Sequence, residues 1–126
     1  MQYRIAKPED LEACSACVAS TGYYHQVDFT EIGGIVLLAE NDEGVQGVVW
    51  AARSGNIAFA DYLAVTPKYM GSGLGARLII RGCYVLKKMG VKQIRSCVHY
   101  DNREALRIDS KLGALDGPYA QSVIVL

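Results

Sequence analysis

The chain has 126 residues, a formal net charge of zero, 51% hydrophobic residues and 21% charged residues. This is the length and composition of one globular domain, residues 1–126, and the balanced charge argues against nucleic-acid capture by bulk electrostatics. No apolar run approaches the roughly 20 residues of a membrane span, and Met1-Gln2-Tyr3-Arg4-Ile5 lacks the apolar core of a secretion signal, so a cytoplasmic location without membrane partners is expected.

Residues 2–6 read as a short strand. Pro8, Glu9 and Asp10 then open a helix: proline suits its first position and acids suit its positive end. Leu11, Cys14 and Val18 share one face of that helix, and Gly22 ends it. Residues 23–34 show no clear period. Strands follow over Ile35 to Glu40, Val45 to Arg53 and Ile57 to Val65, the first two joined as a hairpin. A long amphipathic helix starts at Leu74 and is expected to bury Leu74, Leu78, Ile79, Val85, Leu86 and Met89. Gly90 ends it. Lys92 to Val98 is a further strand, Asn102 to Leu112 a further helix, and Gln121 to Leu126 a final strand. The order β-α-β-β-β-α-β-α-β is a mixed α/β arrangement on one sheet. The last strand can pair within the chain or with a second copy, so a homodimer stays open.

Cys14 and Cys17 form a CxxC. No second closely spaced pair accompanies it, and it lies inside a helix pattern, so buried packing is expected and no metal site.

The segment Val65 to Ala76 carries the chemistry. Its glycines Gly71, Gly73 and Gly75 lie between a strand and a helix N-terminus. Backbone N–H groups there can point at an anion, favoured by the helix dipole. A P-loop is excluded, because no Lys-Ser or Lys-Thr follows a suitable glycine. Gly71-x-Gly73-x-x-Ala76 fits a dinucleotide fingerprint, with Asp101 as a distant acid. However, residues 66–70 separate strand from glycines where that turn is tight, and only one βαβ unit exists.

Two motifs support a third reading. Leu63-Ala64-Val65-x-Pro67-x-x-Met70-Gly71-x-Gly73-Leu74-Gly75 resembles the signature loop of the GNAT superfamily of N-acetyltransferases, whose pattern is Q/R-x-x-G-x-G/A after an apolar strand. Gly73 and Gly75 match, and Met70 occupies the Gln or Arg position. Downstream, Val98-x-x-x-Asn102-x-x-Ala105-Leu106-x-Ile108-Asp109-x-Lys111-Leu112-Gly113-Ala114 resembles the family's V-x-x-x-N-x-x-A-x-x-L-Y-x-K-L-G-F. The element order agrees along almost the whole chain.

The resemblance implies the acyl-CoA N-acyltransferase fold and direct acetyl transfer from acetyl-CoA to a primary amine of a small molecule or peptide, with an oxyanion held by a fourth-strand amide. It places the coenzyme in a V-shaped opening between the fourth and fifth strands. The pantetheine arm would pair with backbone around Leu63, Ala64 and Val65, and the pyrophosphate would meet the loop of Met70, Gly71, Ser72, Gly73, Leu74, Gly75 and Ala76. Asn102 would contact the coenzyme arm besides capping its helix. Asp109 occupies the place of the tyrosine that protonates the leaving thiolate; an ordinary carboxylate there would be ionised, which leaves water, Tyr100 or Tyr119 as donor. Asp61, with the strand parity of Leu63, is the candidate general base, with His25 and His99 as further candidates. Lys68 and Arg77 are the cations near Met70. The acceptor is expected to be chosen by residues 20–34 and 114–121. The departures at Met70 and Asp109 keep open an acyl-CoA sensor or partner-binding domain with little catalysis. A pure interaction module leaves the glycine loop unexplained.

Overall fold

The computed structural model describes residues 1–22, 27–97, 107, 115–116 and 121–126. Its strands are β1 (Gln2–Ile5), β2 (Ile35–Asn41), β3 (Gly44–Ser54), β4 (Ile57–Val65), β5 (Gln93–Cys97), β6 (Leu115–Asp116) and β7 (Gln121–Val125). Its helices are α1 (Leu11–Ala19), α2 (Phe29–Ile32) and α3 (Leu74–Lys88), with 3-10 turns at Pro8–Asp10 and Pro67–Tyr69. The described strands form one seven-stranded sheet in the order β1-β2-β3-β4-β5-β7-β6. Only β4 and β5 pair in parallel, because α3 carries the chain over the sheet between them. The mixed α/β expectation is met.

Several details differ from the sequence reading. Pro8–Asp10 forms a 3-10 turn before α1 begins at Leu11. The short α2 and the edge strand β6 fall in stretches read as irregular. Ile79, Val85 and Met89 are half-buried, while Leu74, Leu78 and Leu86 are the buried residues of α3. Apart from Arg107, which is helical, the helix read over 102–112 lies outside the described residues. The last strand pairs within the chain, with β5 and β6.

Both faces of the sheet are covered, which explains the unbroken apolar run of β2. Val36 and Leu38 pack towards α1 with Cys14, Cys17, Val18, Phe29, Val48 and Ala64. Leu37 and Ala39 pack towards α3 with Leu74 and Leu78. A third cluster joins Ala51 and Ala58 to Leu86, Val91 and Ile94. Helix α3 rests directly on β3: a Cβ at Gly47 would lie 2.7 Å from Leu78 Cδ1. The CxxC is packing, as expected. Burial pushes the Cys14 thiol up to about 12 and the Cys17 thiol up to about 11. No helix among the described residues is long and apolar enough to cross a membrane.

Arg4 fastens the N-terminal end. Its guanidinium donates to both oxygens of Asp10, at 2.7 and 2.9 Å, and to both of Glu40, at 2.8 and 3.2 Å. Asp10 also accepts the Lys7 amide at 2.8 Å. The Arg4 hydrogen bonds, then the Lys7 amide, hold the Asp10 carboxyl down to about 2. A depressed carboxyl stabilises the fold above its unfolded pKa of about 3.9, and that contribution is lost as pH falls through about 2. Arg4→Met is therefore expected to lower the melting temperature at neutral pH. The gap to the parent protein should narrow between about pH 4 and pH 2, as thermal melts across that range would show. A gap that persists unchanged at the acid end would rule out Asp10 as its source.

Candidate active site

The site grows from an irregularity in β4. Val48 pairs with Ala64, but Trp50 pairs with Asp61, so Tyr62 and Leu63 together oppose Val49. This is a β-bulge, which kinks the strand and re-aims its side chains. Tyr62 has φ 54°, the one positive value of a non-glycine among the described residues. Such a backbone costs about 1–3 kcal/mol and persists only where its surroundings impose it. Here Tyr62 meets Phe29 and Trp50 edge-on, with centroids 5.9 and 5.7 Å away. The Tyr62 amide donates to Asp61 Oδ1 at 2.7 Å.

The bulge corrects the parity argument for Asp61. Ala60 and Leu63 both pack on the α3 side, whereas Tyr62 packs on the α1 side. Alternation from Ala60 therefore puts Asp61 on the face opposite Leu63. Asp61 is open to solvent at its edge, yet enough protein surrounds it for desolvation to push its carboxyl up, against the opposing Tyr62 amide.

Among the described residues, the β4–β5 ladder runs from Ile57↔Gln93 to Ala60↔Ser96. Strand β4 continues through Leu63, Ala64 and Val65. A polar chain then anchors the loop. Thr66 donates through its amide to the Gln46 carbonyl at 2.9 Å and through its hydroxyl to Gln46 Oε1 at 2.8 Å. Gln46 Nε2 donates to Asn41 Oδ1 at 3.3 Å, and Asn41 Nδ2 to Tyr69 Oη at 2.7 Å.

Beyond this anchor, Gly71 and Gly73 have φ 79° and 85°. The first helical bond of α3 is Arg77 N–H to the Gly73 carbonyl, 3.1 Å. Leu74 N–H is turned to Ser72 Oγ at 3.3 Å. The amides of Gly71, Gly73, Gly75 and Ala76 have no acceptor among the described residues. A Cβ at Gly71 would meet nothing within 4 Å, so that backbone faces open space. This glycine-lined run of donors fits a phosphate group.

Met70 is 44% exposed and offers no donor. Lys68 is committed to Glu43, at 2.9 and 3.1 Å. Arg77 instead lies on the loop, donating through Nη2 to the Ser72 carbonyl at 3.2 Å. On the α1–α2 side, a cleft of about 560 Å³ reaches Tyr62 and is lined by Glu12, Ser15, Val27, Asp28, Glu31 and Ile32. The bulge and this cleft were missed from sequence: no glycine or asparagine flags Tyr62, and residues 23–34 carry no period. Tyr100, Asn102, Asp109, Tyr119, His25 and His99 lie outside the described residues. Among the described residues, no group of His, Cys, Asp or Glu is placed to hold a metal ion.

The profile of the Acetyltransferase (GNAT) family matches residues 3–113. A mycothiol acetyltransferase of Actinosynnema mirum is 29% identical over 87 residues, covering 68% of this chain. The matched stretch spans 29% of that relative's own length. Among solved structures, PaiA N-acetyltransferase from Thermoplasma acidophilum in complex with coenzyme A superposes with TM-score 0.77 at 21% identity, over 100% of both chains. Ribosomal-protein-alanine N-acetyltransferase from Brucella melitensis gives 0.79 at 16% identity, again over 100% of both. With its family profile spanning β1 to the end of the second motif, the chain belongs to the Acetyltransferase (GNAT) family.

Proposed function

We propose that residues 1–126 form one N-acetyltransferase domain that moves acetyl from acetyl-CoA to a primary amine by direct transfer. One observation carries this reading: the amides of Gly71, Gly73, Gly75 and Ala76, which have no acceptor among the described residues, stand at the N-terminus of α3, one 3-10 turn beyond the end of β4. The strand that would carry the extended arm and the seat for its phosphates thus follow one another along the chain. Acetyl-CoA, when bound, supplies an activated thioester acyl group. Backbone around Leu63, Ala64 and Val65 would hold the arm by strand addition, which is indifferent to side chain. The amides of Gly71 to Ala76 would hold the phosphates, and Asn102 would add a contact.

The acceptor would enter by the cleft at Tyr62, whose carboxylates Glu12, Asp28 and Glu31 suit an ammonium-bearing molecule. An amine must be neutral to attack. Asp61 would take its proton, and the upward push on its carboxyl makes it a better base than an ordinary aspartate. Water, Tyr100 or Tyr119 would deliver the proton to the leaving thiolate, because an ordinary aspartate at 109 is ionised at neutral pH and would repel it. An acyl-CoA sensor or partner-binding domain is the second reading, favoured by Met70 and Asp109, which break the family pattern.

Thiol release from acetyl-CoA across a panel of amino acids, polyamines, aminoglycosides and peptides tests the enzyme reading; silence with every amine, alongside coenzyme binding, would favour the sensor. Asp61→Asn is expected to lower kcat/KM by about 100-fold or more and to remove the acid limb of its pH profile. Its folded carboxyl is raised, so ionisation above the unfolded pKa of about 3.9 disfavours the fold. The variant should therefore melt no lower than the parent at neutral pH. A pH profile that Asp61→Asn leaves intact would remove Asp61 from the mechanism.

A further inference from the structure

We propose that Arg77 binds the diphosphate of the coenzyme, supplying the donor that Met70 lacks, and that Tyr3 holds Arg77 in position. The inference rests on the coenzyme reading above. Ser72, whose carbonyl accepts Arg77 Nη2 at 3.2 Å, sits between the two left-handed glycines of the cradle. A Cβ built on Gly73 would lie 3.3 Å from Arg77 Nη1. The guanidinium thus borders the same backbone whose amides lack acceptors. Lys68, the other nearby cation, is neutralised by Glu43. No carboxylate among the described residues pairs with Arg77.

Tyr3 comes from β1, at the other end of the chain. Its hydroxyl accepts Arg77 Nε at 3.2 Å, and Arg81 lies over its ring at 4.1 Å from the centroid. A guanidinium carries five N–H donors, so the bonds to Tyr3 and Ser72 leave others for a ligand. Its planar fork matches phosphate oxygens. An arginine already held at two points loses less rotamer freedom when a ligand arrives. A short β1 side chain thereby becomes a positioning residue for a loop far along the sequence.

Titration calorimetry with coenzyme A and with dephospho-coenzyme A, which lacks only the 3′-phosphate, tests this. Arg77→Met should weaken both ligands alike, by about 10- to 100-fold, as expected for a lost charge-assisted bond. Its affinity should also depend less steeply on salt. Tyr3→Phe keeps the ring and the guanidinium charge and should cost about 2- to 10-fold, with an unchanged melting curve and no further loss when added to Arg77→Met. Met70→Arg added to Arg77→Met should restore affinity by returning the cation to the family's position. Parent-like affinity of Arg77→Met overturns the proposal. So does a loss confined to coenzyme A, which would move the contact to the 3′-phosphate. If the unaltered protein binds neither ligand, the coenzyme reading itself fails, and this inference with it.

Discussion

Gly73→Val is expected to abolish coenzyme A binding while the fold survives. Gly73 stands at φ 85°, immediately before α3. A β-branched residue there is forced into a region it rarely occupies, at about 1–3 kcal/mol. That is a fraction of the ~5–15 kcal/mol by which domains are stable, so a lower melting temperature is expected rather than unfolding. Binding fares worse for two reasons. The new methyl groups would occupy the face of the cradle that the phosphates need. The added Cβ would also lie 3.3 Å from Arg77 Nη1, so the guanidinium would have to shift by a few tenths of an ångström, and the valine methyls would crowd it further. Calorimetry with coenzyme A, checked by circular dichroism, decides the matter: unchanged affinity in a folded variant would refute the phosphate-cradle assignment.

Gly34→Ala should be the most damaging small substitution for stability. Gly34 has φ 88°, and a Cβ there would lie 2.5 Å from Trp50 Nε1 and 2.8 Å from the Ala51 carbonyl oxygen. The Ala51 backbone cannot withdraw easily, because Ala51 pairs with Ile35 in the β2–β3 ladder. Trp50 is also constrained, donating through Nε1 to the Gly33 carbonyl at 2.8 Å. Overpacking costs typically about 1–3 kcal/mol and an unsuitable left-handed backbone about 1–2 kcal/mol more. A total of roughly 2–5 kcal/mol would lower the thermal midpoint by many degrees. Because Trp50 packs against Tyr62, displacing it should also reduce turnover in whatever protein remains folded. A thermal midpoint close to the parent's would show that Trp50 has room to move that this geometry denies it.

The legible parts of the chain were those whose pattern the fold leaves undisturbed. Ile35 to Ala39 is apolar at every position, and both of its faces are buried. The loop glycines announced both the positive φ angles and the start of α3. The bulge gave no such notice. Residues able to adopt φ above zero are normally glycine or asparagine, and tyrosine at 62 is held there by Phe29, Trp50 and Asp61. Simple alternation therefore misassigned Asp61 to the face of Leu63. Helix α2 escaped because Phe29–Ile32 barely exceeds one turn, too short for a 3.6-residue period to register. It is marked by its cap instead: Asp28 accepts the Thr30 amide at 2.9 Å.

The packing of Trp50 has a practical consequence. It is the only tryptophan in the chain, and its ring lies 5.7 Å from that of Tyr62, which lines the cleft. The protein therefore carries a built-in fluorescent reporter beside the bulge. Any acceptor that displaces water around Tyr62 changes the surroundings of that indole. Candidate amines can then be ranked by intrinsic emission, with no label attached and no turnover required.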